Sequence, residues 1–305
     1  LRMSKPSFFV LANLIKHHIG FVTTGRRPQA PVFLQLAVFL YRMGMAGGGS
    51  TLAHTGLALG LGEGTVHSYT VRVVEALQNI RTHWIKWPTK EARQKHAKRV
   101  GEASKGVFSG CIGFIDGTFL NLQYTPETNH YFYFNRKSTY AIGAMAVCTD
   151  NRQIVYLRVG DTSAVHDTTV FSRSYLSQTP SQYFGDGEYL IGDSAYTPTA
   201  TMIVPFKKPR ARQPLPKRFN FALSQRRIVI EHAFGMIKAR FPALTNVPIR
   251  IRDTDSHAMV VNWFVAGVVL HNFLIARRDE MKWTQETEWE EILKDILQSQ
   301  DYERV

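Results

Sequence analysis

Residues 111–124 read CIGFIDGTFLNLQY, a β-period run with one acidic residue, Asp116, set among apolar neighbours. Such a run is a strand of a sheet. A carboxylate buried there is costly unless something neutralises it. Two more strand patterns follow, TYAIGAMAVCTD at 139–150 and RQIVYLRVG at 152–160, joined by a turn at Asn151 and Arg152. Then HDTTVFSRSYL (166–176) reads as a helix and YLIGDSAY (189–196) as a short buried strand ending in Asp193. QRRIVIEHAFGMIKARF (225–241) reads as a second helix. Three strands followed by helix, strand and helix predict an α/β layered domain.

Upstream the pattern is helical. Residues 6–46 carry Phe33, Leu36, Leu40 and Tyr41 at helical spacing. Residues 50–80 form a helix-turn-helix pattern: a helix over 51–59, a glycine-rich turn at 60–64, and a second helix from Thr65 as N-cap. Val66, Tyr69, Val73 and Leu77 share one face of it. The pair either offers His67, Ser68, Thr70 and Arg72 to a DNA groove or packs as a plain helical hairpin. Residues 81–105 are basic and helical, with Trp84 and Trp87. The expected organisation is a helical region over 1–105, an α/β domain over 106–278 and an acidic tail over 279–305. The tail's Trp283 and Trp289 suit an amphipathic helix that packs or recruits a partner.

Charge narrows the partners. The chain has 37 Lys and Arg against 24 Asp and Glu, a net of +13. The tail holds nine acidic and three basic residues, so residues 1–278 carry 34 basic and 15 acidic, a net of +19. Anionic partners follow, nucleic acid first. Cys111 and Cys148, in no CxxC or Cys/His pattern, argue against a disulfide framework and structural zinc. The apolar stretch 258–276 is long enough to span a membrane, but Asn262, His271 and Asn272 interrupt it. A buried helix and no membrane association are expected. The apolar run 8–15 is too short for a span and lacks a cleavage site. Leu1 in first place points to a fragment or an incomplete sequence.

Three carboxylates carry the candidate chemistry. Asp116 and Asp193 lie on strands, and Glu231 lies on a helix beside Ile228, Ile230, Phe234 and Ile237. Phosphodiester cleavage is an in-line displacement served by two metal ions about 4 Å apart. Carboxylates bridge such ions, and oxygen ligands suit Mg²⁺ or Mn²⁺. Each acid alone has a plainer reading: a strand Asp beside Gly is often a turn or cap residue, and Arg227 is an i,i+4 ion partner for Glu231. No nucleophile elbow and no Cys/His pair indicates covalent catalysis. Between Asp193 and Glu231, Lys207, Lys208, Arg210, Arg212, Lys217 and Arg218 alternate with four prolines. That stretch, 204–218, is expected to be a non-helical basic loop that grips a DNA backbone or simply lies at the surface.

The stretches IGFIDGT, YFNRK, the HD of AVHDTTVF, LIGDSAY, RRIVIEHAFGMIKARF and VVLHNFL occur in this order. Together, over about 105–276, they resemble the endonuclease domain of Harbinger-type transposases and their domesticated relatives. The helix-turn-helix region upstream is also similar. The resemblance implies an RNase H-like mixed-sheet nuclease domain and a DDE triad on Asp116, Asp193 and Glu231 that binds divalent metal. It makes Asp167 a further metal-site acid or, more plainly, a helix N-terminal residue. It makes Asn135, Arg136 and Lys137 either a phosphate grip or a device that orders the strand pair. Ala195 departs from the glycine of many relatives without removing a ligand, and Gly117 stands where relatives often have another small residue. The resemblance further implies a nuclear location and a Myb-like DNA-binding partner protein, and it is compatible with a homo-oligomer. The expected activity is transposase-like, metal-dependent DNA endonuclease cleavage, with water or a DNA 3′-hydroxyl as nucleophile. The alternatives are a domesticated DNA-binding protein without turnover and a phosphohydrolase of small phosphate esters. The basic surface opposes the last.

Overall fold

The computed structural model describes residues 1–23 and 28–279. Its N-terminal part is helical: α1 (Lys5–Ile15), α2 (Val32–Gly44), α3 (Leu52–Leu59), α4 (Glu63–Asn79), α5 (Arg81–Trp84) and α6 (Lys90–Ala103). The chain then enters β1 (Cys111–Leu122), α7 (His130–Tyr133), β2 (Ala141–Cys148) and β3 (Ile154–Thr162). It continues through α8 (Asp167–Ser172), α9 (Tyr175–Gln178), β4 (Tyr189–Ile191), β5 (Met202–Ile203), α10 (Pro214–Arg240), β6 (Asn246–Val247) and α11 (Thr254–Ala276).

The strand order is β3-β2-β1-β4-β5, with β6 pairing the far end of β1. β1, β2 and β3 are antiparallel neighbours, as hairpin connections allow. β4 and β6 run parallel to β1, and β5 parallel to β4. The fold is therefore mixed α/β with a mixed sheet. Both faces are covered. Phe114, Leu120, Ala144 and Ala146 join one core with α10 and α11. Ile112, Ile115, Val147 and Leu190 join the other with Phe171, Leu176 and Tyr196. Two covered faces explain why the first five residues of β1 are all buried.

The larger core does not stop near residue 105. Phe8, Leu11, Phe39, Leu40, Val73 and Leu77 of the helical part share it with Trp263 and Phe264 of α11. Phe39 meets Trp263 edge-on at 5.4 Å, and the Arg42 guanidinium lies 4.7 Å from the Trp263 ring centre. Each such large side chain stabilises the fold by about 1.5–3 kcal/mol when fully buried.

The polar interruptions of the apolar helix now have a structural account. Asn272 accepts from the Ile154 amide and donates to the Trp84 and Ile154 carbonyls. His271 Nε2 donates to the Arg152 carbonyl. These side chains fasten α11 to β3 and α5, and a satisfied buried amide costs little. Asp253 and Ser256 close a capping box at the start of α11. By length and composition α11 could cross a membrane, but 72% of its apolar window is buried against protein.

Several boundaries differ from the sequence expectation. α10 begins at Pro214, well before residue 225, because Pro214 and Pro216 occupy the first turn, where an amide donor is not needed. Only 204–213 of the expected basic loop stays non-α-helical, with a short 3₁₀ turn at Arg210–Arg212. The second helix of the helix pair starts at Glu63 with Gly62 as N-cap, so Thr65 lies inside it. The expected helix 81–105 breaks between α5 and α6, around Pro88. Segment 166–176 is two short helices, and the strand at 189 ends at Ile191, which leaves Asp193 in the following turn. The tail expectation, with Trp283 and Trp289, lies outside the described residues; Asp279 alone is seen, accepting from Ser4.

Candidate active site

Strand alternation aims Phe114, Asp116, Thr118 and Leu120 at the face covered by α10. β4 pairs with β1 so that Ile191 is level with Phe114. Asp116 stands two residues further along β1, and Asp193 two residues past the end of β4, in the turn that follows it. α10 crosses this end of the sheet and brings Glu231. Arg227, one turn earlier on α10, donates from Nη1 to Asp116 Oδ2 and from Nη2 to Glu231 Oε1, each at 2.5 Å.

Asp167 arrives from the other side. It opens α8, and its Oδ1 lies 2.7 Å from where a Cβ on residue 117 would sit. Glycine at 117 is therefore the residue that lets the Asp167 carboxylate approach β1. Thr168 donates to the Ala195 carbonyl at 2.6 Å, and the Ala195 amide donates to Asp193 Oδ1 at 2.8 Å. α8 thus holds the turn that carries Asp193. The alanine at 195 leaves that amide contact intact.

The electrostatics are those of crowded acids. Burial pushes the Asp116 carboxyl up to about 6; Arg227 and the Gly117 amide oppose the shift, and Asp193 and Glu231 add to it. Burial, with Asp193, also raises Asp167. Among the described residues neither Asp167 nor Asp193 is in an ion pair. The Tyr196 hydroxyl is buried without a hydrogen-bond partner and is surrounded by Asp167, Asp116 and Asp193, which with burial raise its phenol well above the ordinary value. Arg227 serves two of the four carboxylates directly, and Arg136 acts on Asp167 from further off. The described residues hold no ready-made cage of three close ligands; Asp116 and Glu231 each turn an oxygen onto Arg227 instead.

The family described as DDE superfamily endonuclease matches residues 115–272, more than half of the chain. The chain belongs to this family. It is 25% identical over 236 residues to the protein called "Putative nuclease HARBI1" of Bos taurus, covering 76% of this chain and 65% of that one. The Homo sapiens protein of the same name is 24% identical over 267 residues, covering 87% and 73%. "Protein ALP1-like" of Arabidopsis thaliana is 24% identical over 264 residues, covering 81% and 61%. The chain thus spans about two thirds of the length of these curated relatives. No solved structure matches it.

All four acids fall inside the matched segment. So does Lys238, which sequence reasoning missed. It follows Glu231 by seven residues, two turns along the same face of α10. Its ammonium donates to Thr118 Oγ1 and the Phe119 carbonyl, and burial lowers it to about 8. The signal was there in the helical spacing, but only β1 lying beneath α10 makes it informative.

The candidate DNA contacts divide. Asn135 is 4% exposed, and its side chain accepts from the Lys137 and Thr139 amides and donates to Thr139 Oγ1. These bonds order its turn, one of the two roles open to it. Arg136 and Lys137 beside it are exposed, and Arg136 lies near enough to Asp167 to lower its carboxyl. Lys207, Lys208, Arg210 and Arg212 are exposed as well, with Arg210 stacked 5.1 Å from the Phe206 ring centre. In the helix pair α3–α4, Thr70 is buried and donates to the Val66 carbonyl, and Arg72 reaches Gln35. Of the four residues considered there for a DNA groove, His67 is the exposed one.

Proposed function

We propose that this protein is a metal-dependent DNA endonuclease with transposase-like chemistry, its carboxylate triad being Asp116, Asp193 and Glu231. The observation that carries the reading is the convergence of these acids, with Asp167, at one end of β1 and β4 in a strongly basic chain. The strand order β3-β2-β1-β4-β5 supports an RNase H-like reading of the sheet.

The residues suit Mg²⁺ or Mn²⁺. Every donor is a hard carboxylate oxygen. The group is short of positive charge, as the raised Asp116 and Asp167 and the partnerless Tyr196 hydroxyl indicate. Asp116, Asp193 and Glu231 would hold the metal, with Asp167 beside them. Bound divalent metal supplies Lewis-acid activation of the attacking hydroxyl and of the leaving oxygen. Arg227 holds Asp116 and Glu231 in place until that charge arrives. Lys238, Arg136 and Lys137 line the approach and hold phosphates. Lys207, Lys208, Arg210 and Arg212 extend the grip along the backbone. The nucleophile is water or a DNA 3′-hydroxyl, since the Tyr196 phenol near the acids is buried and held in its neutral form.

A nuclear location fits a DNA substrate. Because Thr70 and Arg72 are engaged within the helical part, sequence readout falls to a partner protein, and a Myb-like DNA-binding partner is the proposal. One observation favours the second reading, DNA binding without turnover: Arg227 occupies the centre, and no cage of three ligands is preassembled. Nicking of supercoiled plasmid in Mg²⁺ or Mn²⁺, native chain against Asp193→Ala, separates the two. Metal-dependent nicking that disappears in the variant supports the nuclease. Equal DNA binding by both proteins without nicking supports the second reading.

A further inference from the structure

Outside the carboxylate group, the most unusual surface is the turn between β1 and β2. Residues 130–134 read HYFYF. Tyr133 points inward, its hydroxyl 2.9 Å from His257 Nδ1. Tyr131, Phe132 and Phe134 point outward and are 60%, 47% and 48% exposed. Exposed rings of this size, grouped, mark an interaction surface. They form one continuous patch. The Tyr131 and Phe132 ring centres are 4.3 Å apart, Phe134 and Tyr140 are 5.3 Å apart, and His130 lies between Tyr131 and Tyr140.

The patch is held rigidly. Asn135 closes the turn through the hydrogen bonds described above, Phe134 bridges Tyr140, and Ser163 donates to the Tyr133 carbonyl. The turn itself carries cations and no acid. No Asp or Glu occurs from residue 128 to residue 149, and exposed Arg136 and Lys137 continue the turn. Its position is defined by β1. Thr139 Oγ1 meets Asn121 Oδ1, five residues along the strand from Asp116. Five residues of strand span about 17 Å, a distance that a few nucleotides of one DNA strand cover. Lys238, at Thr118 and Phe119, lies between the two places.

We propose that this turn is a stacking platform for unpaired bases of the DNA held by the protein, a few nucleotides from the carboxylate group. The inference rests on the nuclease reading for its position and deepens it toward substrate form. Paired bases present only their edges, whereas unpaired bases offer the faces that rings such as Tyr131 and Phe134 can stack upon. The adjacent cations take the backbone of the same strand. A protein partner of acidic character would meet Arg136 and Lys137 equally well, but it would have no need of ring faces so near a nuclease centre.

The test uses the full chain in EDTA, so that cutting plays no part. Fluorescence anisotropy compares a blunt duplex with the same duplex bearing a ten-nucleotide single-stranded tail, and 2-aminopurine in the tail reports stacking. The native chain binds the tailed duplex tighter than the blunt one and quenches 2-aminopurine. Tyr131→Ala/Phe134→Ala loses at least about tenfold on the tailed duplex, loses the quenching, and keeps its affinity for the blunt one. Tyr131→Leu/Phe134→Leu keeps apolar bulk and the same melting temperature, and it loses the tail preference too. A tail preference that survives in the Leu pair overturns the proposal. So does an equal loss on both duplexes, or a change in sedimentation with DNA binding untouched, which would give the patch to a second copy of the chain. A plasmid that is never nicked would sink the nuclease reading and leave this measurement standing.

Discussion

Asp150, in the turn after β2, and Asp116, within β1, each accept from an arginine at 2.5 Å, yet their carboxyls are pushed in opposite directions. Burial raises both. At Asp150 the donors outweigh it: Arg99 through two nitrogens and His96 through Nδ1 hold the carboxyl well below the usual range. At Asp116 burial is deeper, one arginine is shared with Glu231, and Asp193 and Glu231 add repulsion, so the carboxyl stands at about 6. An ion pair by distance is thus two different things. The first is a finished structural contact that ties α6 to the sheet. The second is an unfinished one, and crowded acids with too little positive charge are what a cation site requires.

The largest expected effect tests that division directly. Asp193→Asn should lower metal-dependent nicking by at least about a thousandfold, roughly 4 kcal/mol of barrier, while urea unfolding stays unchanged or shifts to higher denaturant. Nicking is followed on plasmid and stability by circular dichroism. A clear loss of stability would place Asp193 with the structural pairs and end the contrast.

Acid sensitivity sharpens it. His271 is 3% exposed, and burial lowers it to about 4. Its folded value lies below the unfolded 6.5, so its contribution is complete above pH 6.5 and is lost as pH falls toward 4, about 3 kcal/mol in all. Asp116 works the other way in the same window. Its folded value is above the unfolded 3.8, so its burden on stability is relieved as pH falls from about 6. In EDTA the native chain should therefore lose less stability between pH 6.5 and 4 than Asp116→Asn does. Equal slopes for the two proteins would mean that Asp116 is not raised. Asp150 contributes little in that window, since its stabilisation is lost mainly below its unfolded value of 3.8, as pH falls toward its depressed folded value.

Asp150→Asn should cost about 1–2 kcal/mol, because buried His96 loses a hydrogen-bond partner while exposed Arg99 is rewetted. Plasmid nicking at saturating DNA should stay within about twofold. A variant that folds normally but no longer cuts would move Asp150 to the functional side. The smallest effect belongs to the exposed cations. Lys207→Ala/Lys208→Ala should weaken DNA binding a few-fold and lower the salt dependence by about two phosphate contacts, read as the slope of log affinity against log salt. An unchanged slope would leave that segment out of the DNA path.

Much of the arrangement is legible in the residues. The strand around Asp116, the hairpin of β2 and β3, the helix bearing Glu231 and the buried helix α11 all follow from apolar period, because period reports which faces are covered. The choice of Asp116, Asp193 and Glu231 came from acids misplaced in apolar surroundings together with motifs in a recognisable order. Residues whose role depends on a neighbour far away in sequence were not legible. Arg227 looks like an i,i+4 partner of Glu231, and only the crossing of α10 over β1 gives it Asp116 as well. Lys238, the glycine required at 117 and the inward turn of Asn135 are of the same kind.

By itself, then, the sequence determined the elements, the basic character and the acids, since local period and charge belong to single residues. Tertiary structure alone decided that β4 lies parallel beside β1, with Ile191 level with Phe114, and that the helical part shares a core with α11. It alone left three aromatic rings bare beside Arg136. Burial, like-charge repulsion and hydrogen-bond partnership are properties of pairs brought together by folding, and no reading along one chain contains them.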